Sequence, residues 1–239
     1  MKKKTIDRSY LRPEWAGERG VLGRDYIAHV SRWDFTLRFM KRDMKILDVG
    51  CGDGMLAQVL YVNYMKPKKF VGLNISEAQL DKFRLRKFNF KPELYQLDIR
   101  KDPFPCPRSH FDIITCFEVV EHFEKKYVDI PLKEMKRVCK KNGTVLLSTP
   151  NYDRVHKAKA HVHEYEEDEL AKILSKHFWI KGKYGTFASK KDIFPQLTVV
   201  EQNLYNELAE YHSSVMMSII FAPLYPSQSR NILWVLKKQ

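Results

Sequence analysis

The stretch Lys45-Ile46-Leu47-Asp48-Val49-Gly50-Cys51-Gly52-Asp53-Gly54-Met55-Leu56-Ala57-Gln58-Val59-Leu60 decides the fold. A short apolar run reads as a buried strand, three glycines in five residues stop it, and the residues that follow read as a helix. The order is strand, glycine turn, helix. Working outward, residues 70–73 form a second strand closed by Asn74-Ile75-Ser76, and Ser76 with Glu77 starts a helix through Phe83 and Leu85. Residues 93–98 are a third, weaker strand. Residues 111–117 are a fourth, nearly continuous in apolar character, as suits a strand covered on both faces. A helix through Leu132, Met135 and Val138, stopped at Asn142-Gly143, precedes a fifth strand at 144–149. Strands alternating with helices imply crossover units and an α/β protein with a mainly parallel sheet.

Beyond Asn151 a polar loop runs to about residue 163, followed by a helix at 166–176 and a strand-like run at 178–185. The alternation then pauses. Residues 186–230 hold an amphipathic helical stretch at 199–219 and a loop with Pro223 and Pro226, ahead of a closing strand at 231–236. The expected organisation is one domain over 1–239: an N-terminal cap segment at 1–44, a core at 45–185, a helical insertion or lid at 186–230, and the last strand at 231–239.

The chain has 239 residues with 44% in the hydrophobic class, enough for a real core, which excludes disorder and a disulfide-stapled miniprotein. No window approaches the roughly 20 apolar residues of a membrane span, and the start shows no apolar core of a signal peptide. The expected location is cytoplasmic. Cys51, Cys106, Cys116 and Cys139 show neither a C-x-x-C pair nor a paired spacing, which argues against a structural zinc or disulfide framework. A formal charge of +13 suits nucleic acid, an anionic membrane surface or an acidic substrate as partner.

Within residues 82–91 aromatics interleave with cations. That mixture serves single-stranded nucleic acid, or else an amphipathic helix with Phe83 in the core and a solvated basic face. The early segment from Arg12 to His29 is rich in Arg, Trp and Tyr, residues of recognition surfaces. Trp15, Tyr26 and His29, with Tyr205 or Tyr211 of the insertion, are expected to close over a substrate.

A glycine turn between strand and helix lets backbone approach a ligand closely, beside the free N–H groups of a helix start. The pattern Asp48-x-Gly50-x-Gly52-x-Gly54 is neither the dinucleotide spacing nor a P-loop. It resembles the first motif of the class I S-adenosylmethionine-dependent methyltransferases, an acidic residue followed by G-x-G-x-G. The resemblance covers roughly residues 45–185. It implies a Rossmann-like, seven-stranded, mostly parallel sheet with an antiparallel last strand and a core that binds S-adenosyl-L-methionine and releases S-adenosyl-L-homocysteine. By the same resemblance Asp48, Gly50, Cys51, Gly52 and Gly54 hold the methionine part, Asn74 the ribose with Ile75 beside the base, and Asp98 the adenine amine, with Ile99 and Phe117 as further contacts. The family commonly has Asp or Glu where this chain has Asn74, whose amide offers one acceptor oxygen.

The run Phe117-Glu118-Val119-Val120-Glu121-His122 follows the fourth strand. Glu118, Glu121 and His122 fall at i, i+3 and i+4, one face of a helix. The E-x-x-E-H run is similar to two branches of the family, the ubiquinone-type O-methyltransferases and the small-RNA terminal 2′-O-methyltransferases. In the RNA branch these residues and a later His bind a divalent metal, and His161 or His163 stands where that His would be. Three roles stay open: His122 as general base with Glu118 and Glu121, a divalent metal site, or hydrogen bonding to the cofactor and loop backbone. The expected activity is methyl transfer to an O or N acceptor of a small molecule or glycan. The alternatives are methylation of RNA or DNA, and a non-catalytic cofactor-binding regulator.

Overall fold

The computed structural model describes residues 23–155 and 157–239, with side chains described for residue 29 and from residue 31 onward. Its centre is a sheet of seven strands: β1 (Lys45–Val49), β2 (Lys69–Asn74), β3 (Pro92–Gln96), β4 (Phe111–Phe117), β5 (Cys139–Pro150), β6 (Phe178–Gly185) and β7 (Asn231–Lys238). Their order is β3-β2-β1-β4-β5-β7-β6. Strands β1 to β5 pair in parallel, and β7 runs antiparallel between β5 and β6. The chain steps outward from β1 to β3 and then returns to β4 on the other side of β1. That reversal opens a crevice at the carboxyl ends of β1 and β4.

Among the described residues the α-helices are α1 (Gly23–Thr36), α2 (Met55–Val62), α3 (Glu77–Arg84), α4 (Asp129–Val138), α5 (Glu167–Ser175), α6 (Lys190–Ile193), α7 (Val199–Tyr211) and α8 (Ser214–Ile220). Strands β1 and β4 are buried almost throughout because both faces are covered, α4 and α5 lying on one side and α1 and α2 on the other. Ser76 caps α3 by accepting from Gln79 N–H, as its sequence position implies.

Two boundaries differ from the sequence reading, each for a local reason. Helix α4 ends at Val138, and Asn142-Gly143 belongs to an irregular start of β5, where the register with β4 shifts between Phe111 and Ile113. Gly143 is needed there: a Cβ would lie 2.6 Å from Cys139 Sγ and 3.0 Å from Phe111 O. The stretch 199–219 is two helices rather than one, separated at His212-Ser213, where Ser213 caps α8. The insertion also builds a small core of its own from residues that include Ile193, Tyr205, Met217 and Phe221. Tyr205 is spent in that core and Tyr211 is exposed, so neither closes over the crevice. From 186–230 only Arg230 reaches the crevice among the described residues. Trp15 and the side chain of Tyr26 lie outside the described residues.

Candidate active site

The crevice is a cavity of about 790 Å³ at the carboxyl ends of β1, β2 and β4, a volume in the range of small-molecule sites. Its floor is the glycine turn. Gly50, Gly52 and Gly54 all have positive φ, at 76°, 53° and 89°, which only glycine adopts without strain. The three differ in what a side chain would meet. A Cβ at Gly50 would sit 2.3 Å from Val119 Cγ2 and one at Gly54 2.4 Å from the Phe83 ring, whereas at Gly52 the nearest atom is Gln79 Oε1 at 4.0 Å. Gly50 and Gly54 thus let the turn pack against its neighbours, and Gly52 presents bare backbone to the cavity.

Asp48 lies under the turn, buried, with Thr115 Oγ1 donating to its Oδ1 at 2.7 Å. Burial pushes its pKa up to about 7 against the opposing effect of that bond. Arg86 clamps the far side of the turn through Asp53, Nε donating to the carbonyl and Nη2 to Oδ2 at 2.6 Å. On β2, the Asn74 amide donates to Gln79 Oε1 (2.7 Å) and to Ser76 O (3.4 Å), which leaves Oδ1 to meet a ligand hydroxyl. Ile75 is exposed and lines the cavity, as does buried Ile99. Asp98 lines it as well, but its carboxylate is gripped by Arg100 through Nε (2.8 Å) and Nη2 (2.7 Å), a pairing that holds Asp98 below the usual carboxylate range.

The opposite wall carries the E-x-x-E-H residues, and the structure separates their roles. No regular helix forms there. A short 3₁₀ turn spans Val120–His122, and Glu118 sits just before it at φ 55°, a backbone state that costs a non-glycine residue roughly 1–2 kcal/mol. Three donors hold its carboxylate: Ser148 Oγ (2.9 Å), Asn231 Nδ2 (2.6 Å) and buried Arg32 of α1 (3.0 Å). Arg32 also lies over the Phe117 ring, 5.6 Å from its centroid. Glu118 is therefore a tie between α1 and the sheet.

Glu121 is fully buried behind the cavity wall. Thr149 donates to its Oε2 at 3.0 Å, while Oε1 has no hydrogen-bond partner. Burial first, and the nearby Glu118 carboxylate second, push its pKa well above the carboxylate range. His122 lines the cavity with Nδ1 3.2 Å from Ala160 O. A carbonyl only accepts, so Nδ1 carries a hydrogen there. The loop 151–163 brings His161 alongside, with ring centroids 5.0 Å apart, because Val162 N–H and His163 N–H both donate to Glu121 O. His161 Nδ1 is in turn held 2.6 Å from Glu164 Oε1. Glu164 is buried and also accepts from Arg230 and from Ala158 N–H; these bonds outweigh its burial and keep it below the ordinary glutamate range. Glu121, His122 and His161 each offer a ligand atom within 4.8 Å of the others. His163 points elsewhere, to Glu169, so of the two histidines weighed from sequence the structure brings His161 to the site.

Arg32, Gln79, Glu164, Arg230 and Asn231 are functional-site residues that sequence reasoning missed. Gln79 alone left a trace, as the third helical residue after the Ser76 cap. The others belong to segments that carry no motif and meet only in the fold.

A family model described as a methyltransferase domain matches residues 40–215. A ubiquinone biosynthesis O-methyltransferase of Pelagibacter ubique is 28% identical over 123 residues, covering 49% of this chain and 48% of that protein. Matches to the curated relatives span about half of their length. Among solved structures, a SAM-dependent methyltransferase from Archaeoglobus fulgidus aligns with a TM-score of 0.61 at 17% identity, covering 90% of this chain and 95% of that one. A structure described as the [4+2]-cyclase SpnF aligns with a TM-score of 0.62 at 16% identity, covering 94% and 85%. At these identities the structural likenesses speak for the fold alone, and a fold hosts more than one reaction.

Proposed function

The chain belongs to the class I S-adenosylmethionine-dependent methyltransferases, and from that premise we propose that it methylates the oxygen of a hydroxyl on a small molecule or glycan, with the proton removed at His122 Nε2. The residues present fit the cofactor. Gly52 leaves a cradle that a side chain would intrude on, Asn74 keeps one acceptor for a ribose hydroxyl, and the cavity continues past the glycine turn to His122. S-adenosylmethionine supplies an activated methyl on a sulfonium. What falls to the chain is to hold an acceptor oxygen in line with it and to remove a proton.

The observation that carries this reading is the orientation of His122 and His161. Both rings have Nδ1 engaged, by Ala160 O and by Glu164, and both residues line the cavity, so Nε2 is the nitrogen of each ring with no protein partner among the described residues, left to meet an acceptor. Relatives named O-methyltransferases support an oxygen acceptor.

Glu121, His122 and His161 also fit a divalent cation. Two imidazoles and a carboxylate suit manganese, iron or zinc, the unpartnered Glu121 Oε1 is a donor with nothing else to bind, and Glu164 behind His161 is the kind of partner that orients a ligating imidazole. A cation held there would lower the pKa of the acceptor hydroxyl. A second acceptor class, a hydroxyl of RNA or DNA, is favoured by the +13 charge.

The test is transfer of labelled methyl to pools of hydroxylated metabolites, glycans and nucleic acids, before and after dialysis against chelator. Label in an alkali-stable ether of a metabolite or glycan, lost in His122→Ala, is the expected result. Label on a carboxylate or amine would overturn the oxygen acceptor, and label in RNA alone would replace the acceptor class. Activity lost to chelator and restored by manganese would assign proton loss to the cation.

A further inference from the structure

The positive charge is not spread evenly over the surface. Lys41 and Arg42 lie in the loop before β1, and Lys66 and Lys68 in the loop before β2. The two loops are bonded to each other, Asp43 N–H to Lys66 O at 3.0 Å and Lys68 N–H to Met44 O at 2.9 Å. Lys45 and Lys69, the first residues of β1 and β2, face one another in register. Lys140 and Lys141 continue the row at the start of β5. All of these sit where the parallel strands begin, at the far end of the sheet from the glycine turn.

The row is not neutralised. Glu93 pairs with Lys69 and Asp112 with Lys140, but among the described residues no carboxylate pairs with Lys41, Arg42, Lys66, Lys68 or Lys141. Lys45 stands opposite Lys69 in the register, and Glu93 on β3 holds Lys69 from the other side at 2.9 Å. His110, in the turn before β4, registers the field: burial first, then Lys45, Lys69 and Lys140, lower its pKa.

The stretch 82–91, singled out from sequence for its mixed cations and aromatics, keeps exposed Lys82, Lys87 and Lys91 but turns its phenylalanine rings to the core and pairs its two arginines. Arg84 is paired with Glu77 and Asp81, Arg86 is locked to Asp53, and Phe83 is buried while Phe88 and Phe90 stack on each other at 5.3 Å against the core.

With strands about 4.8 Å apart, the row from β2 across β1 and β4 to β5 is roughly 14 Å long, and it is one or two side chains wide. A line of cations matches a line of phosphates better than a plane of lipid headgroups. Tyr64, in the same loop as Lys66 and Lys68, is 81% exposed and offers its ring to a base. We propose that this edge docks the phosphate backbone of a single-stranded nucleic acid, at a surface separate from the acceptor cavity. The proposal does not depend on the identity of the acceptor.

Fluorescence anisotropy of the full chain with a labelled 20-nucleotide RNA tests it across a salt series. Binding is expected to weaken steeply with salt, with a log–log slope near −3 to −4 for about five phosphate contacts. The triple variant Lys41→Glu/Lys66→Glu/Lys68→Glu should lose at least thirtyfold in affinity and flatten the slope, and Tyr64→Ala a few-fold more modestly. Affinity for S-adenosylmethionine should be unchanged in both, which shows that the variants fold. The control Lys82→Glu/Lys87→Glu should bind RNA nearly as well as wild type. No RNA binding at 50 mM salt, or equal loss in the two charge variants, would overturn the proposal. So would edge-dependent binding to phosphatidylserine vesicles with RNA binding independent of the edge.

Discussion

The two ends of the same parallel strands make opposite use of charge. At the carboxyl ends, charged groups are individually partnered: Glu118 has three donors, Glu164 has Arg230, His161 and a backbone N–H, and Asp48 has Thr115. At the amino ends cations are exposed and several have no carboxylate partner among the described residues. The lesson is about what each end must do. A site that positions one oxygen and one proton needs groups that cannot move. A surface that attracts a polymer needs summed charge and tolerates loose geometry.

Placing the same small substitution at each end should give the largest contrast. Gly50→Ala puts a methyl 2.3 Å from Val119 in a left-handed backbone, and affinity for S-adenosylmethionine by calorimetry is expected to fall at least a hundredfold. Gly143→Ala, whose methyl meets Cys139 Sγ and Phe111 O, should lower the melting temperature by several degrees with affinity kept within about twofold. Equal effects on affinity would erase the division between the ends.

The positioning shell gives the next contrast. Glu164→Ala leaves His161 free to turn and removes the partner of Arg230, so kcat should drop about ten- to a hundredfold with little change in cofactor affinity. Glu164→Gln still accepts from His161 Nδ1 and should recover much of the loss. If the Gln variant is no better than Ala, orientation of His161 is not what Glu164 provides.

A smaller effect concerns Asp48. An acid whose pKa is raised by folding stays protonated in the native state over a range where the unfolded chain has already ionised. Its stabilising contribution is complete below about pH 4, declines as pH rises toward 7, and is flat above. Asp48→Asn removes that dependence. In cofactor-free protein its melting temperature should gain on wild type by on the order of 5 °C between pH 5 and pH 8. A constant difference would mean that Asp48 ionises normally.

The sheet and the cofactor turn were legible because both are encoded locally. Apolar runs, glycines at fixed spacing and a Ser cap act within a few residues, and they placed β1, α2, β4 and Asn74 close to where they stand. The acceptor wall was legible only in part. The E-x-x-E-H spacing suggested one helical face, but the chain makes a 3₁₀ turn after a left-handed Glu118, so Glu118 lines the cavity with its carboxylate tied to Arg32, Glu121 goes behind the wall and His122 lines the cavity with its ring. Nothing within a few residues of Glu118 announces Arg32, which lies 86 positions earlier, or Asn231, which lies 113 later. The insertion misled for a related reason: tyrosines that look like lid residues are also good core residues, and Tyr205 fills a core that the helices build for themselves.

The exposed cations Lys41, Arg42, Lys66 and Lys68 ahead of β1 and β2 have one more consequence, visible in how the molecule should respond to its ionic surroundings. The screening length shrinks from about 10 Å at 0.1 M salt to about 3 Å at 1 M, which quiets repulsion among these cations and leaves the Arg32–Glu118 pair almost untouched. Added salt should therefore firm up the folded chain while loosening its hold on a polyanion, so that the conditions under which the protein melts last are those under which it is least attached.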